Sequence, residues 1–490
     1  MSPPTTRTAR FRLHLGTAVL ATSVALSGCS VLGGTSTGST SAVAARAAAA
    51  DGVYDASVLH EFSVEVDTDA LSDMLATYTE TDEKEWITAD VTIDGTTFRN
   101  VGLRLKGNSS LRQVSEDSEP TDLPWLIRLD KFVDGQNLDG WTEFVVRSNN
   151  SATALNEAVA LDLLAEAGLA SEEAVATSFS VNGAAARLRL VVQHLDEAWE
   201  EQNFSSDGWL YKAEAGGDWS YRGTDPADYV DVFDQETGTE DLTPLTDFLD
   251  FVNNSTDAEF AEQLPERLDV EAFATYLAFE DLVGNFDDID GPGNNSYLRW
   301  DDGAEQFTVV AWDHNLALGT SMGGPGGGRP GSGEQGDRGT APEGFEPPEG
   351  LEPPEGFEPP EGMEPSQGGQ HGQGQNGQGR DGQRGGPMGG RSNPLVERFN
   401  EVDEFAQLVD EATERLQAEL VDSGRAESLL AAWEKVLTEQ AGDLVTAETV
   451  SEEAESIRSF LAGETGQSDG PGSTTGDDTG ASEDTGGTAS

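Results

Sequence analysis

Asp290 and Asn295 stand five residues apart in the segment Asp290-Gly-Pro-Gly-Asn-Asn295, and a second acidic residue, Asp313, closes an apolar stretch that ends Trp312-Asp313-His314-Asn315. These residue types suit phosphoryl transfer. One carboxylate orients the attacking hydroxyl, while an amide and another carboxylate hold the cations that neutralise the phosphates. Asp287 and Asp288 lie close enough to leave the choice of orienting carboxylate open; Asp290 is favoured because it alone has an asparagine five positions on. The chief rival is a calcium loop, since Asp288-Ile-Asp290-Gly291 partly matches an EF-hand. That match fails at the first ligand position, Phe286, and at the twelfth, where Tyr297 replaces the bidentate glutamate. Five histidines and one cysteine argue against zinc-hydrolase and thiol chemistry.

The elements that must position these residues are mixed. An apolar helical pattern over 271–286 (Phe273, Tyr276, Leu277, Leu282) delivers the chain into the 287–295 loop, and strands over 296–300 and 306–312 follow around Asp301-Asp302-Gly303. Upstream, 86–93 and 98–106 alternate around Asp94-Gly95, a hairpin signal. Further strands are expected at 126–129 and 144–147, and a helix over 151–167 with Ser151 as N-cap and Gly168 at its end. Residues 175–181 and 187–193 form a second hairpin around Asn182-Gly183. Asn393-Pro394 then opens a helical run (Leu395, Phe399, Phe405, Leu408) that continues to about Leu461. The fold class expected is α+β.

Between these parts lie segments with few core-forming residues. Residues 321–392 are rich in Gly, Pro and Glu and carry the repeat Glu-Pro-Pro-Glu-Gly-x between Pro342 and Pro365; such a stretch buries too little apolar surface to offset its chain entropy and is expected to be disordered. The glycine run at 323–328 has no strand before it, no helix after it and no lysine at the right offset, so it is not a phosphate loop. The globular part is expected to be one domain in two pieces, 57–320 and 393–462, followed by a polar tail over 463–490.

At the other end, Arg7, Arg10 and Arg12 precede an apolar stretch at 13–26 that is short for a membrane span, and Leu26-Ser27-Gly28-Cys29 follows. This resembles a bacterial lipoprotein signal over 1–28, with lipid on the only cysteine, Cys29, and a Gly/Ser/Thr/Ala-rich tether over 29–56. The chain is then expected to be lipid-anchored on the extracytoplasmic face of the cell membrane. A formal charge of −63 argues against nucleic acid as a partner. Only five lysines occur (Lys84, Lys106, Lys131, Lys212, Lys435), so those at the ends of apolar strands stand out.

Several blocks in order resemble the spore-coat protein H (CotH) kinase-like family: Gly102-Leu-Arg-Leu-Lys-Gly-Asn-Ser-Ser110, Arg128-Leu-Asp-Lys131, Leu155-Asn-Glu157, Val181-Asn-Gly183, Trp209-Leu-Tyr-Lys212, Gly284-Asn285 with Asp290 and Asn295-Ser-Tyr297, Trp312-Asp313, and Asn393-Pro394-Leu395. The resemblance covers most of residues 60–460 and implies an atypical, two-lobe protein-kinase-like fold with a helical C-terminal part. It implies Lys106 as the lysine on ATP phosphates, Glu157 as its helix partner, Asp290 as the catalytic carboxylate, and Asn295 and Asp313 as Mg²⁺ ligands. Arg128, Lys131 and Lys212 are weaker phosphate-side candidates. No glycine-rich loop precedes Lys106, no His-Arg precedes Asp290, and His-Asn follows Asp313, so substrate class and activation do not transfer from ordinary kinases. The expected activity is Mg²⁺-dependent transfer from ATP to Ser or Thr hydroxyls of an envelope protein. The competing expectation is a non-catalytic surface scaffold that binds a partner.

Overall fold

Alternating apolar residues build the first half of the chain. In this computed structural model, which describes residues 52–320 apart from 113 and 293, and residues 393–463, the order begins β1 (His60–Val66), α1 (Thr68–Thr81), β2 (Ile87–Ile93), β3 (Thr96–Leu105), β4 (Trp125–Arg128), β5 (Glu143–Val146), α2 (Leu155–Glu166), β6 (Ala174–Val181) and β7 (Arg187–Gln193). The expected Asp94-Gly95 turn has positive φ at both residues, the geometry that matches strand twist in a two-residue hairpin. β1 pairs antiparallel with β2 and parallel with β6. That second pairing closes the strands into a barrel of order β1-β2-β3-β4-β5-β7-β6. Its core includes Phe62, Val64, Val91, Leu103, Ile127, Phe144 and Val191, and α1 adds Leu71, Met74 and Leu75. Burying each such side chain contributes about 1.5–3 kcal/mol. Leu105 and Val146 both pair with Trp125, so Lys106 and Arg147 leave the barrel at the same end.

The chain continues through α3 (Glu197–Asn203), β8 (Gly208–Ala213), β9 (Phe233–Gln235), α4 (Thr243–Asn254), α5 (Asp257–Gln263), α6 (Val270–Val283), β10 (Ser296–Asp301) and β11 (Gln306–Ala311). Four of these strands form a second, antiparallel sheet, β11-β10-β8-β9. After residue 392 come α7 (Pro394–Glu401), α8 (Asp403–Leu416), α9 (Arg425–Gln440) and α10 (Ala447–Leu461). These helices share one hydrophobic cluster with α2, α4 and α6. Phe273 of α6 meets Phe399 of α7 edge-on at 4.8 Å, and Phe399 stacks on Phe405 of α8 at 4.9 Å. The mixed strands and helices agree with the α+β expectation.

One boundary differs for a physical reason. The helix expected from residue 151 begins at Leu155, with Ala154 in the left-handed region. Ser151 Oγ accepts the Ala154 N–H, and Glu453 of α10 accepts the Ala152 and Thr153 N–H groups, so tertiary contacts take the donors a first helical turn would present. The signal segment, most of the tether, the 321–392 insertion and the tail after Gly463 lie outside the described residues.

Candidate active site

The turn that follows α6 is shaped by Gly284, by Gly291 and by contacts with α6 itself. Gly284 ends α6 at φ 64°, and a Cβ there would lie 2.7 Å from the Phe460 ring of α10. A Cβ at Gly291 would lie 2.3 Å from the Phe286 carbonyl oxygen, so the turn folds back too closely for any other residue. Asn285 donates to Glu280 at 2.9 Å, and the Ile289 N–H donates to the Tyr276 hydroxyl at 3.1 Å. Asn295 Nδ2 donates to Asp287 Oδ2 at 3.2 Å. Asp290 Oδ1 accepts the Asn393 N–H at 2.8 Å. Asn295 therefore meets Asp287, while Asp290 fastens the point where the chain re-enters at α7. Asp288 accepts the Asp290 N–H at 3.1 Å, and burial, then the nearby Glu280, pushes its carboxyl up to about 7.

The β10–β11 hairpin brings the second acidic residue to the same place. Ser296 pairs with Ala311, so Asn295 and Trp312 extend from the same end of the hairpin. Tyr297 packs edge-on against Trp312 at 5.7 Å. Asp313 follows at φ 65°, ψ 67°, a left-handed conformation that costs a non-glycine residue roughly 1–2 kcal/mol. Its carboxylate accepts a hydrogen bond from Arg147, whose Nε also lies 2.8 Å from Glu157 Oε1. Burial opposes the Arg147 charge, but Asp313 and Glu157 more than offset it and raise its pKa. Glu157 is held above the usual carboxylate range by burial, against the pull of Arg147. His314 Nε2 lies 3.1 Å from Glu280 Oε1; burial pushes the imidazole down, but Glu280, Glu172 and Glu157 lift it to about 9.

Lys106 arrives from the barrel. Its Nζ sits 5.7 Å from the centre of the Trp312 ring, and the Arg147 guanidinium carbon sits 5.9 Å from the same ring. Trp312 thus joins the lysine to the Arg147–Asp313 pair. The expected lysine–Glu157 pairing is not what the fold builds: Glu157 is taken by Arg147, and Lys106 Nζ lies 2.8 Å from His194 Nε2. His194 Nδ1 lies 2.7 Å from Glu143 Oε2, although the ring N–H does not point straight at that oxygen. Burial, then the charge of Lys212, pushes the Lys106 ammonium down to about 8.

Of the weaker candidates, Arg128 pairs with Glu143 at 2.9 Å and Asp130 at 2.8 Å, Lys212 pairs with Glu214 at 3.0 Å, and Lys131 lies over the Trp86 ring at 4.8 Å. Sequence reasoning missed Arg147, His194, Glu143 and Glu280. Arg147 and His194 each come one residue after a strand, as Lys106 does, and that shared position was the signal available.

Among the described residues, no three His, Cys, Asp or Glu side chains are grouped to hold a metal ion. A cation here would draw on Asp313 and on the amide oxygen of Asn295, with the remaining oxygens supplied by phosphates and water. Mg²⁺ takes such mixed shells. Four buried polar atoms in these segments, Tyr297 Oη, Ser296 Oγ, Asn285 Oδ1 and His314 Nδ1, have no protein partner, and such orphaned groups call for a polar ligand or an ordered water. The donor set fits a magnesium nucleotide.

No curated protein matches the chain. A family model described as CotH kinase protein matches residues 103–462, a span that takes in Lys106, Arg147, Glu157, Asp287, Asn295 and Asp313. Because that match covers more than half of the 490 residues, this chain belongs to the CotH kinase protein family.

Proposed function

We propose that this protein is an ATP-dependent, Mg²⁺-requiring kinase that phosphorylates Ser or Thr hydroxyls of extracytoplasmic proteins, on an atypical two-lobe kinase-like fold. The observation that carries this reading is the shared Trp312: the Lys106 ammonium and the Arg147 guanidinium lie over the same indole, and Arg147 in turn binds the Asp313 carboxylate. An ammonium acts on phosphate oxygens as a compact point charge. In the reaction, the acceptor oxygen bonds to the γ-phosphorus as the bond to the bridging oxygen breaks, ADP leaves, and the hydroxyl proton passes to a carboxylate.

Each residue has a part in this scheme. Lys106 holds the phosphates, and Asp313 and Asn295 would hold Mg²⁺, which supplies neutralisation of phosphate charge. Arg147 keeps Asp313 in its left-handed conformation and leaves the other carboxylate oxygen for a cation. Asp287 is favoured over Asp290 for the hydroxyl, because Asp287 is the carboxylate that touches Asn295 while Asp290 binds the Asn393 N–H. Glu157 acts through Arg147 rather than on the nucleotide.

A second reading, a non-catalytic surface scaffold, is favoured by one observation: Asp313 and Asp290 are both already engaged by protein groups. Incubation of the full chain with γ-labelled ATP, Mg²⁺ and a Ser-rich acceptor protein separates the two. Label on Ser or Thr that disappears in Asp313→Asn supports the kinase, and unlabelled protein that nevertheless binds an envelope partner supports the scaffold.

The resemblance of residues 1–28 to a lipoprotein signal, with Cys29 next to take the lipid, supports an extracytoplasmic, lipid-anchored location at the membrane. No helix among the described residues is long and apolar enough to cross a membrane. Release of a Cys29→Ala variant from the membrane fraction tests the anchor; retention of that variant contradicts it.

A further inference from the structure

The barrel register sets up a ladder that ends on Lys106. β4 and β5 pair Arg128 with Glu143, and β5 and β7 pair Phe144 with Gln193, which brings His194 opposite Glu143. The three side chains join in that order, Arg128 Nη1 to Glu143 Oε1 at 2.9 Å and Glu143 Oε2 to His194 Nδ1 at 2.7 Å, and His194 Nε2 then meets Lys106 Nζ at 2.8 Å. Glu143 and His194 are 7 % and 6 % exposed, so water does not compete at their contact.

An ammonium has only donors, so the nitrogen facing Lys106 must accept, and the imidazole proton then sits on Nδ1, toward Glu143. Other charges that act on the lysine include Lys212, Arg104 and Glu236, with Glu236 also acting on the histidine, and Arg147 shares the Trp312 ring with the lysine. Burial, then the Lys106 charge, pushes His194 below its ordinary value, so the ring is neutral near pH 7.5. Glu143 stays ionised: burial works against it, but His194, Arg128 and Lys106 hold its carboxyl below the usual range.

We propose that His194, oriented by Glu143, is the positioning residue for Lys106, a role the sequence had pointed to Glu157 to fill. This rests on the reading of Lys106 as a phosphate ligand. A carboxylate partner would cancel much of the lysine charge, whereas a neutral imidazole fixes the ammonium and leaves that charge for phosphate. Protonation of His194 at acid pH removes the acceptor and sets two cations against each other, so capture of phosphate weakens.

Two measurements on the full chain test this. Nitrogen NMR of the ligand-free protein at pH 7.5 should show His194 neutral with its proton on Nδ1. A charged ring or a proton on Nε2 overturns the proposal whatever the nucleotide data say. Calorimetry with Mg·ATP should show His194→Ala weakening binding about tenfold, the size of one well-placed hydrogen bond, and His194→Gln recovering most of the loss because its amide oxygen still accepts. Circular dichroism should show both variants folded at the temperature of the titration, with a lowered melting temperature because a buried network has lost a member. If His194→Ala binds as the parent does while Lys106→Met does not, the positioning role is wrong and the phosphate role of the lysine stands. If Lys106→Met also binds as the parent does, the phosphate role itself is wrong.

Discussion

Arg147, the residue after β5, donates to the carboxylate of Asp313, the second residue after β11, and so ties the barrel to the hairpin that carries the candidate site. The same guanidinium holds Glu157 of α2 at 2.8 Å, and its side chain is 12 % exposed. One cation thus serves two carboxylates from separate parts of the fold.

Removing that cation strands a buried charge. Arg147→Met should lower stability by about 3–5 kcal/mol, because Glu157 is left without a partner. The double variant Arg147→Met/Glu157→Leu should recover much of the loss, since no uncompensated charge remains. Urea unfolding midpoints measure both. A single variant within ~1 kcal/mol of the parent would mean the pair carries little.

Glu172 predicts a pH dependence. Burial pushes its carboxyl up to about 7 from the ordinary 4.5, and its Oε2 has no hydrogen-bond partner. The folded chain keeps a proton that the unfolded chain releases from pH 4.5 upward, so this group's contribution to stability falls as pH rises to 7 and is constant beyond. The full difference is on the order of 3 kcal/mol. Glu172→Gln should match the parent below pH 4.5 and exceed it above 7, in the difference between their stability–pH curves. Parallel curves would contradict the assignment.

Gly284 and Phe460 should be coupled. Gly284→Ala places a methyl 2.7 Å from the Phe460 ring and also strains a backbone at φ 64°. In a Phe460→Ala background only the backbone cost of about 1 kcal/mol remains. The double-mutant cycle should therefore give a coupling of ~1 kcal/mol or more. Equal costs in both backgrounds would show that the helix end has room to shift.

The acidic turn separates by function. Asp287→Asn should lower transfer by about 10²–10⁴-fold with nucleotide affinity nearly unchanged, as expected of a proton acceptor. Asp290→Asn should be mild, because its amide oxygen can still accept the Asn393 N–H. The reverse ranking in a single-turnover assay would return the catalytic role to Asp290.

The hairpins were legible because their turns are local. Asp94-Gly95 and Asn182-Gly183 both adopt positive φ, and strands form on either side of each. β1 was not read from the sequence, and its parallel pairing with β6, which closes the barrel, joins residues more than a hundred positions apart. No local pattern encodes such a contact. The start of α2 was misplaced for a similar reason, since Glu453 lies about three hundred residues from the groups it holds. At the candidate site, Asp313 and Lys106 could be picked out by type and strand-end position. Their partners Arg147 and His194 share that strand-end position, but what joins them to Asp313 and Lys106 is barrel register rather than spacing along the chain.

The account stands on Lys106 and Asp313 serving one magnesium nucleotide, and calorimetric titration of the full chain with ATP, with and without Mg²⁺, tests it most directly. The predicted result is Mg²⁺-dependent binding that is weakened about tenfold or more by Lys106→Met and by Asp313→Asn alike, each variant remaining folded. Binding that ignores Mg²⁺ and both substitutions, or no heat at millimolar ATP, would contradict it.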